Sequence, residues 1–258
     1  MILKAKSRII IIGASSGIGK ALAVHYASLN MFVGVAARRE DKLLELKSLY
    51  PSNIHLKTID ITSQGAPSLL LELIDEIGGM DMLIFASGAG HSNREIDLKI
   101  EQEIVEVNNK GFLNIIIPAF HYFTNKGKND KGLKKIVAIS SVASIKGLGA
   151  SPAYSASKRF ITTYCESLQQ VSLWNNSNIK FTVILPGFID TDFIKGHNYP
   201  FTMQLNYAIK RIIRAIEKNK FRAIIDWKWR IIVFIWAHIP IRLWESKKIA
   251  KLILDNKK

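Results

Sequence analysis

The sequence contains a single cysteine, Cys165, among 258 residues. One cysteine excludes an internal disulfide framework, so the chain suits a reducing compartment, and we expect a cytoplasmic location with Cys165 buried in a helix. Long hydrophobic runs are also missing, because the most apolar stretch, residues 231–241, has eleven residues and a membrane-spanning helix needs about 20. The six histidines lack ligand-like spacing, so no metal site is predicted.

Acidic residues are scarce relative to basic ones. The chain has 36 Lys and Arg against 21 Asp and Glu, which gives a net charge of +15. Residues 210–258 alone contain 14 basic and 4 acidic side chains, a net charge of +10. We therefore divide the chain into a main domain, residues 1–227, and a basic, aromatic C-terminal extension, residues 228–258.

Short β-rich segments alternate with longer helical patterns along the chain. Strands are predicted at residues 8–12, 32–37, 54–59, 81–86, 134–140, 179–185 and 221–226. Helices are predicted at residues 17–29, 40–49, 66–77, 96–123, 153–174 and 202–219. Several of the strands are continuously apolar, as expected where helices cover both faces of a sheet. The alternation predicts an α/β fold, with a doubly wound, mostly parallel seven-stranded sheet in a single domain.

The stretch "GASSGIG" (residues 13–19) follows the first predicted strand and opens the first helix. Its glycines permit a tight turn and a close approach of the backbone to a pyrophosphate, and the start of the helix offers free N–H groups. The strand–turn–helix context is the one that this motif requires. It predicts a dinucleotide site that includes Gly13, Ser15, Ser16, Gly17, Ile18 and Gly19.

The end of the second strand, "AARRE", indicates which dinucleotide binds. An acidic residue here would bind the adenosine ribose and repel a 2′-phosphate, but the chain has Ala37 followed by Arg38 and Arg39. Guanidinium groups bind phosphate through paired hydrogen bonds. We therefore predict NADPH rather than NADH, with Arg38 as the main discriminator and Arg39 as a second contact. The alternative is that both arginines are solvated at a helix start.

Tyr154 and Lys158 are four residues apart in "PAYSASKRF", so they share one face of a helix. A phenol has a pKa of about 10, and a nearby cation lowers that pKa by favouring the phenolate. The pair is suited to acid–base chemistry at a site whose small neighbours leave room for a ligand. Taken alone, the pair is better explained as two ordinary residues on a helix surface.

These motifs together resemble those of the short-chain dehydrogenases/reductases. The resemblance covers about residues 6–195 and rests on the order of "GASSGIG", "DI" at 60–61, "NNKGF", Ser141 thirteen residues before Tyr154, Lys158, and "PGFIDTDF" at 186–193. It implies a Rossmann-type sheet with four catalytic residues: Asn108, Ser141, Tyr154 and Lys158. Tyr154 would exchange a proton with the substrate oxygen, which Ser141 would hydrogen-bond. Lys158 would lower the pKa of Tyr154 and hold the nicotinamide ribose, and Asn108 would fix a water.

The same resemblance implies further cofactor contacts. They are Asp60 and Ile61 at the adenine, the backbone of Ala86, Ser87 and Gly88, and, along the nicotinamide, Pro186, Gly187, Ile189 and Thr191. The chain departs from the family at two points: Ile12 stands where a threonine is common, and "FASG" (85–88) stands where Asn-Asn-Ala-Gly is usual. We expect Phe85 to pack where that asparagine ties the central sheet.

The C-terminal extension combines tryptophans with Lys and Arg. Residues 241–254 predict a basic amphipathic helix, which is typical of segments that lie on an anionic membrane surface. The alternative is that the extension covers the substrate cleft or forms a subunit contact. Nucleic-acid binding is not predicted, because the aromatics lie within aliphatic runs rather than along a polar basic groove.

The sequence thus predicts an NADPH-dependent reductase of a hydrophobic or lipid-like ketone, reversible by oxidation of the alcohol. We expect it to be cytoplasmic, with attachment at the cytoplasmic membrane face left open, and to be a homodimer or homotetramer through helices 96–123 and 153–174. Two alternatives stay open: a non-catalytic, dinucleotide-sensing module that binds a membrane or partner, and an NAD-linked alcohol dehydrogenase.

Overall fold

The computed structural model describes residues 6–126, 132–196 and 199–254. Its centre is a seven-stranded sheet in the order β3-β2-β1-β4-β5-β6-β7, in which every neighbouring pair is parallel. The strands are β1 (Arg8–Ile12), β2 (Phe32–Ala37), β3 (Ile54–Thr58), β4 (Met82–Phe85), β5 (Lys134–Ile139), β6 (Ile179–Pro186) and β7 (Arg222–Ile225). The predicted single-domain α/β fold is confirmed.

Ten α-helices within the described residues connect and cover the strands. They are α1 (Gly17–Ser28), α2 (Glu40–Leu49), α3 (Ala66–Glu76), α4 (Leu98–Val105), α5 (Gly111–Lys126), α6 (Pro152–Trp174), α7 (Leu205–Glu217), α8 (Trp227–His238), α9 (Ile241–Trp244) and α10 (Lys247–Leu254). Helix α1 packs beside α7, α3 beside α5, and α4 beside α6. Strands β1, β4 and β5 are almost wholly buried, because helices cover both faces of the sheet.

The helical predictions differ from the structure in three places. The predicted helix 96–123 consists of α4 and α5 joined by one turn of π-helix, Glu106–Lys110. The prediction of one helix over residues 241–254 was wrong, since Glu245 and Ser246 separate α9 from α10. Helix α8 was not predicted, because it is apolar on nearly all sides and shows no clear helical period.

The C-terminal extension packs against the body of the protein. Trp229 and Val233 of α8 belong to the main hydrophobic core. Trp244 Nε1 donates a hydrogen bond to the Gly147 carbonyl oxygen at 2.9 Å, and Lys146 Nζ donates one to the Ile239 carbonyl oxygen at 2.7 Å. Across the described ranges, every helix is too short or too polar to cross a bilayer.

Candidate active site

The glycine-rich turn lies where the strand order reverses, between β1 and β4. Gly13 has a φ of +86°, a conformation that other L-residues rarely adopt. A Cβ added to Gly13 would lie 2.6 Å from the Ser87 amide nitrogen, and one added to Gly19 would collide with the Gly13 carbonyl oxygen. The turn therefore lies directly against the segment after β4, and Ala86 N donates to the Ile12 carbonyl oxygen at 2.8 Å. Only glycine, which has no Cβ, fits at these two positions. Glycine also lets the backbone approach a pyrophosphate closely.

The two arginines after β2 have different surroundings. Arg39 Nη2 donates hydrogen bonds to Ser15 Oγ at 2.9 Å and Ser16 Oγ at 3.0 Å. Hydrogen bonds from Thr62 lower the pKa of the Asp60 carboxyl, and the charge of Arg38 acts in the same direction. The structure thus places Arg39 on the glycine-rich turn and Arg38 near Asp60, whereas sequence reasoning made Arg38 the main phosphate contact.

Ile61 anchors the predicted adenine side of the site. Its side chain is buried and packs so close to Gly111 that a Cβ there would lie 2.7 Å from Ile61 Cδ1. Its carbonyl oxygen accepts a hydrogen bond from Asn114 Nδ2 at 2.8 Å. The start of α5 therefore holds the segment after β3 in place.

Tyr154 and Lys158 occupy the first two turns of α6, and Ser141 follows β5. Lys158 Nζ lies 5.7 Å from the centroid of the Tyr154 ring, and Ser141 forms a side-chain hydrogen bond to Tyr154. Ser140 Oγ donates to the Lys158 carbonyl oxygen at 2.8 Å, which ties α6 to the end of β5. The structure thus brings three of the four predicted catalytic residues together.

Asn108, the fourth, is fully buried in the π-turn. Its Nδ2 donates to the Ala89 carbonyl oxygen at 2.8 Å and to Ser157 Oγ at 2.9 Å, and its Oδ1 accepts from Ala89 N at 2.8 Å. A Cβ added to Gly88 would lie 3.0 Å from Lys158 Nζ and 3.3 Å from Asn108 Oδ1. Asn108 therefore joins the same site and links α6 to the segment after β4.

Burial sets the electrostatics of the Tyr154–Lys158 pair. Desolvation lowers the pKa of Lys158 to about 8, and its Nζ donates a hydrogen bond to the Ile139 carbonyl oxygen at 3.3 Å. Burial also raises the pKa of Tyr154, against the lowering effect of the hydrogen bond from Ser141. The pKa shift of Tyr154 is thus opposite in direction to the shift expected from its spacing to Lys158. Because its pKa is raised, the Tyr154 phenol is protonated at neutral pH.

The segment after β6 brings the remaining predicted cofactor residues beside the glycine-rich turn. Pro186 ends β6, and the buried Ile189 pairs with Met203 in an isolated bridge. A Cβ on Gly17 would lie 3.5 Å from the Thr191 Cγ2 methyl. Of the predicted nicotinamide residues, Thr191 therefore approaches the predicted pyrophosphate turn directly.

Three residues near the site were missed by sequence reasoning. The Phe193 ring lies 6.0 Å from that of Tyr154, and both rings press on Gly90, where a Cβ would come within 2.7 Å of each. The Trp229 indole packs on Gly187, leaving no space for a Cβ there. These contacts carry no sequence signal, because their partners are far apart in the chain. In the part of the chain that the structure describes, no three His, Cys, Asp or Glu side chains form a possible metal site.

The fold and the site together define a dinucleotide-binding α/β oxidoreductase. The family model described as short chain dehydrogenase matches residues 7–199. An uncharacterised oxidoreductase of Mycobacterium tuberculosis is 32% identical over 249 residues, which covers 92% of this chain and 96% of the relative. The chain therefore belongs to the short-chain dehydrogenase family.

Solved structures share the fold at lower sequence identity. A short chain dehydrogenase from Burkholderia cenocepacia in complex with NADP has a TM-score of 0.79 and 18% identity, covering 94% of this chain and 98% of that one. A 3-ketoacyl-(acyl-carrier-protein) reductase from Brucella melitensis, complexed with NADH, has a TM-score of 0.77 and 15% identity, covering 85% and 96%. At these identities the likeness shows the fold alone.

Proposed function

We propose that the protein is an NADPH-dependent reductase that converts a hydrophobic ketone to an alcohol, with Tyr154 as the proton donor. The observation that carries this proposal is the convergence of Ser141, Tyr154 and Lys158 around one buried point, beside Asn108. The reverse reaction would oxidise the alcohol through the same groups. A module that only sensed the dinucleotide would need no such set.

The backbone cradle supports the binding of a dinucleotide. Gly13 and Gly19 pack so closely on neighbouring backbone that a Cβ at either position would collide with it, and the start of α1 offers N–H groups to a pyrophosphate. The bound cofactor would supply hydride to the substrate carbonyl carbon. Lys158 would hold the hydroxyls of the nicotinamide ribose, and Thr191 would hold the carboxamide.

The proton chemistry favours reduction. Tyr154 would donate its Oη proton to the substrate oxygen as negative charge develops there. Its raised pKa keeps the phenol in the protonated form that this donation needs. Ser141 would stabilise the same oxygen by a hydrogen bond, and the Lys158 ammonium would stabilise the phenolate left behind. Asn108 would act as a positioning residue, since its bonds hold the segment after β4 against α6.

Aromatic side chains around the site support an apolar substrate. Phe193 faces Tyr154, and the Phe188 ring stacks on Tyr199 at a centroid distance of 4.0 Å. Trp229 packs edge-on against Phe188 at 5.5 Å. Such a wall favours a hydrophobic ketone, because burying apolar surface contributes about 25 cal/mol per Å².

Replacing Tyr154 with Phe tests the mechanism. The variant removes only the hydroxyl, so we expect kcat to fall about a thousandfold, within the range for a lost general acid, while NADPH still binds. NADPH oxidation with a hydrophobic ketone measures the first effect, and quenching of tryptophan fluorescence measures the second. Tyr164→Phe, on the same helix, is the matched control and should keep full turnover. Retained turnover in Tyr154→Phe would refute the proton-donor role.

Replacing each arginine with alanine tests the cofactor preference. A guanidinium bound to the 2′-phosphate contributes about 1.5–3 kcal/mol, so its loss should weaken NADPH about 30-fold and leave NADH affinity unchanged. Arg39→Ala and Arg38→Ala are compared separately, because Arg39 lies on the turn serines and Arg38 near Asp60. Lys47→Ala, at the other end of α2, is the control. Equal losses for both cofactors in both arginine variants would contradict the preference.

A further inference from the structure

Helix α8 has two apolar faces, of which only one is covered. Trp229 and Val233 point into the core. On the opposite side, four large apolar side chains are between 52% and 66% exposed: Trp227, Ile231, Phe234 and Ile235. Their spacing of four, seven and eight residues places them on one face. Single exposed apolar residues are ordinary, but a continuous stripe marks an interaction surface.

Cations flank this outer stripe on both sides. At 3.6 residues per turn, Lys228 projects to one side of the stripe and Arg230 to the other. Lys228 Nζ lies 5.9 Å from the Trp227 ring and 5.5 Å from the exposed Phe201 ring. An apolar stripe bordered by cations on long stems is the pattern of helices that lie in a membrane interface.

The stripe borders a basic pocket of about 230 Å³ between α7, β7 and the start of α8. Trp227 belongs to its wall, and five cationic side chains line it: Arg211, Arg214, Lys218, Lys220 and Arg230. Within the described residues, none of the five forms an ion pair. The acidic lining residue, Asp226, is buried and accepts hydrogen bonds from Tyr207 Oη and Lys228 N, each at 3.1 Å.

We propose that the outer stripe of α8 and the adjacent basic pocket dock the protein onto an anionic phospholipid surface. The pocket would hold headgroup phosphate, and the stripe would enter the acyl region beside it. A free anion would explain the pocket but not the stripe. A two-fold contact with a second copy would set the same cations against each other, which like-charge repulsion opposes.

This docking surface is independent of the proposed reductase activity, since lipid binding requires neither cofactor nor ketone. It also lies close to the active site. The inner face of the same helix places Trp229 against Gly187, a predicted nicotinamide contact. A docked α8 would therefore stand between the bilayer and the site, where an apolar substrate could leave the membrane.

Co-sedimentation with vesicles tests the docking surface, using the full chain. We expect binding to vesicles of phosphatidylglycerol in phosphatidylcholine, little binding to phosphatidylcholine alone, and a loss between about 50 and 500 mM NaCl, as salt screens the charges. Phe234→Ser should weaken partitioning about tenfold, and Arg211→Gln with Arg214→Gln about fivefold for each cation removed. The matched controls are Leu49→Ser and Lys47→Gln on α2, which packs on β3 at the opposite edge of the sheet; they should bind like wild type.

Four outcomes would overturn the proposal. One is no preference for phosphatidylglycerol, and another is binding that the α7 and α8 variants leave unchanged. The third is a shift from dimer to monomer in Phe234→Ser, seen by sedimentation velocity without vesicles and accompanied by no lipid binding in wild type. Competition by inorganic phosphate alone, with no effect of Phe234→Ser, would also refute docking. NADPH oxidation with a hydrophobic ketone is measured in parallel without vesicles, so failure of the reductase proposal is seen separately.

Discussion

At the scale of single residues, Lys158 is a buried cation, and its buried environment disfavours the charged form of the amine. Burial lowers its pKa from 10.5 to about 8, and a difference of this size corresponds to about 3 kcal/mol. The folded chain then binds fewer protons than the unfolded chain between the two pKa values. Stability from this group is therefore lowest below pH 8 and rises as the pH approaches 10.5. A residue suited to holding a ribose and stabilising a phenolate thus lowers the stability of the fold at neutral pH.

Lys158→Met tests this conflict, because it keeps the length of the side chain and removes the charge. We expect turnover to be lost and the free energy of unfolding at about pH 7 to rise, by up to about 3 kcal/mol. Urea denaturation of both proteins at about pH 7, 8.5 and 10 should show the difference shrinking as the pH rises. Taking the difference between the two proteins cancels the contributions of other titrating groups, such as Cys165, whose thiol pKa burial raises.

The control for this experiment is Lys47→Met, at an exposed position of α2, which should alter stability little at any of these pH values. A Lys158→Met protein that is less stable than wild type at neutral pH would contradict the account. In that case the hydrogen bond to Ile139 and the packing of the side chain would outweigh the cost of burying its charge.

The residues of the candidate site were predictable from sequence only where a motif spaces them locally. The glycine-rich turn and the Tyr154–Lys158 pair are local, so their places in the site follow from spacing, although burial reverses the pKa shift expected for Tyr154. Arg39 differs, because its preference for Ser15 depends on how β2 lies beside β1. Phe193 and Trp229 meet the site through tertiary packing, which has no local signature.

At the scale of elements, the strands were predictable and the irregular helix was not. Continuous apolar runs between polar turns mark buried parallel strands, and all seven predicted runs overlap the observed strands. The π-turn at Glu106–Lys110 inserts an extra residue into a helical pattern that continues on either side. The residues "EVNNK" contain no pattern that predicts a π-turn, yet this turn positions Asn108 towards Ala89. Such π-turns are common at functional sites.

Helix α8 was missed for the opposite reason, since its pattern is too uniform. The inner side packs Trp229 and Val233 into the core, and the outer side exposes an apolar stripe. A helix that is apolar on two faces has little periodic contrast, so sequence reasoning found only a hydrophobic run. The uniform pattern that obscured the helix also produces the exposed apolar stripe, which we propose as the membrane-docking surface.

At the scale of the whole molecule, the C-terminal extension is joined to the body through aromatic rings. Four of the five tryptophans lie at or after residue 227. The Trp236 ring lies 6.2 Å from Trp229 and 5.7 Å from Trp244, and Trp244 bonds to Gly147. The chain of rings runs from the core to the loop after β5. We therefore predict that residues 228–258 unfold together with residues 1–227.

Unfolding of a Trp174→Phe protein tests this prediction, because all remaining tryptophans then report on α8 and α9. Tryptophan fluorescence and far-UV circular dichroism should give the same urea midpoint, as two-state unfolding requires. Trp229→Ala should lower both midpoints together and should lower the free energy of unfolding by about 3–5 kcal/mol, since it empties a buried site. Trp227→Ala, on the exposed stripe, should leave both unchanged. An earlier fluorescence transition would instead make the extension a separate unit, and α8 could then leave the body when it meets a membrane.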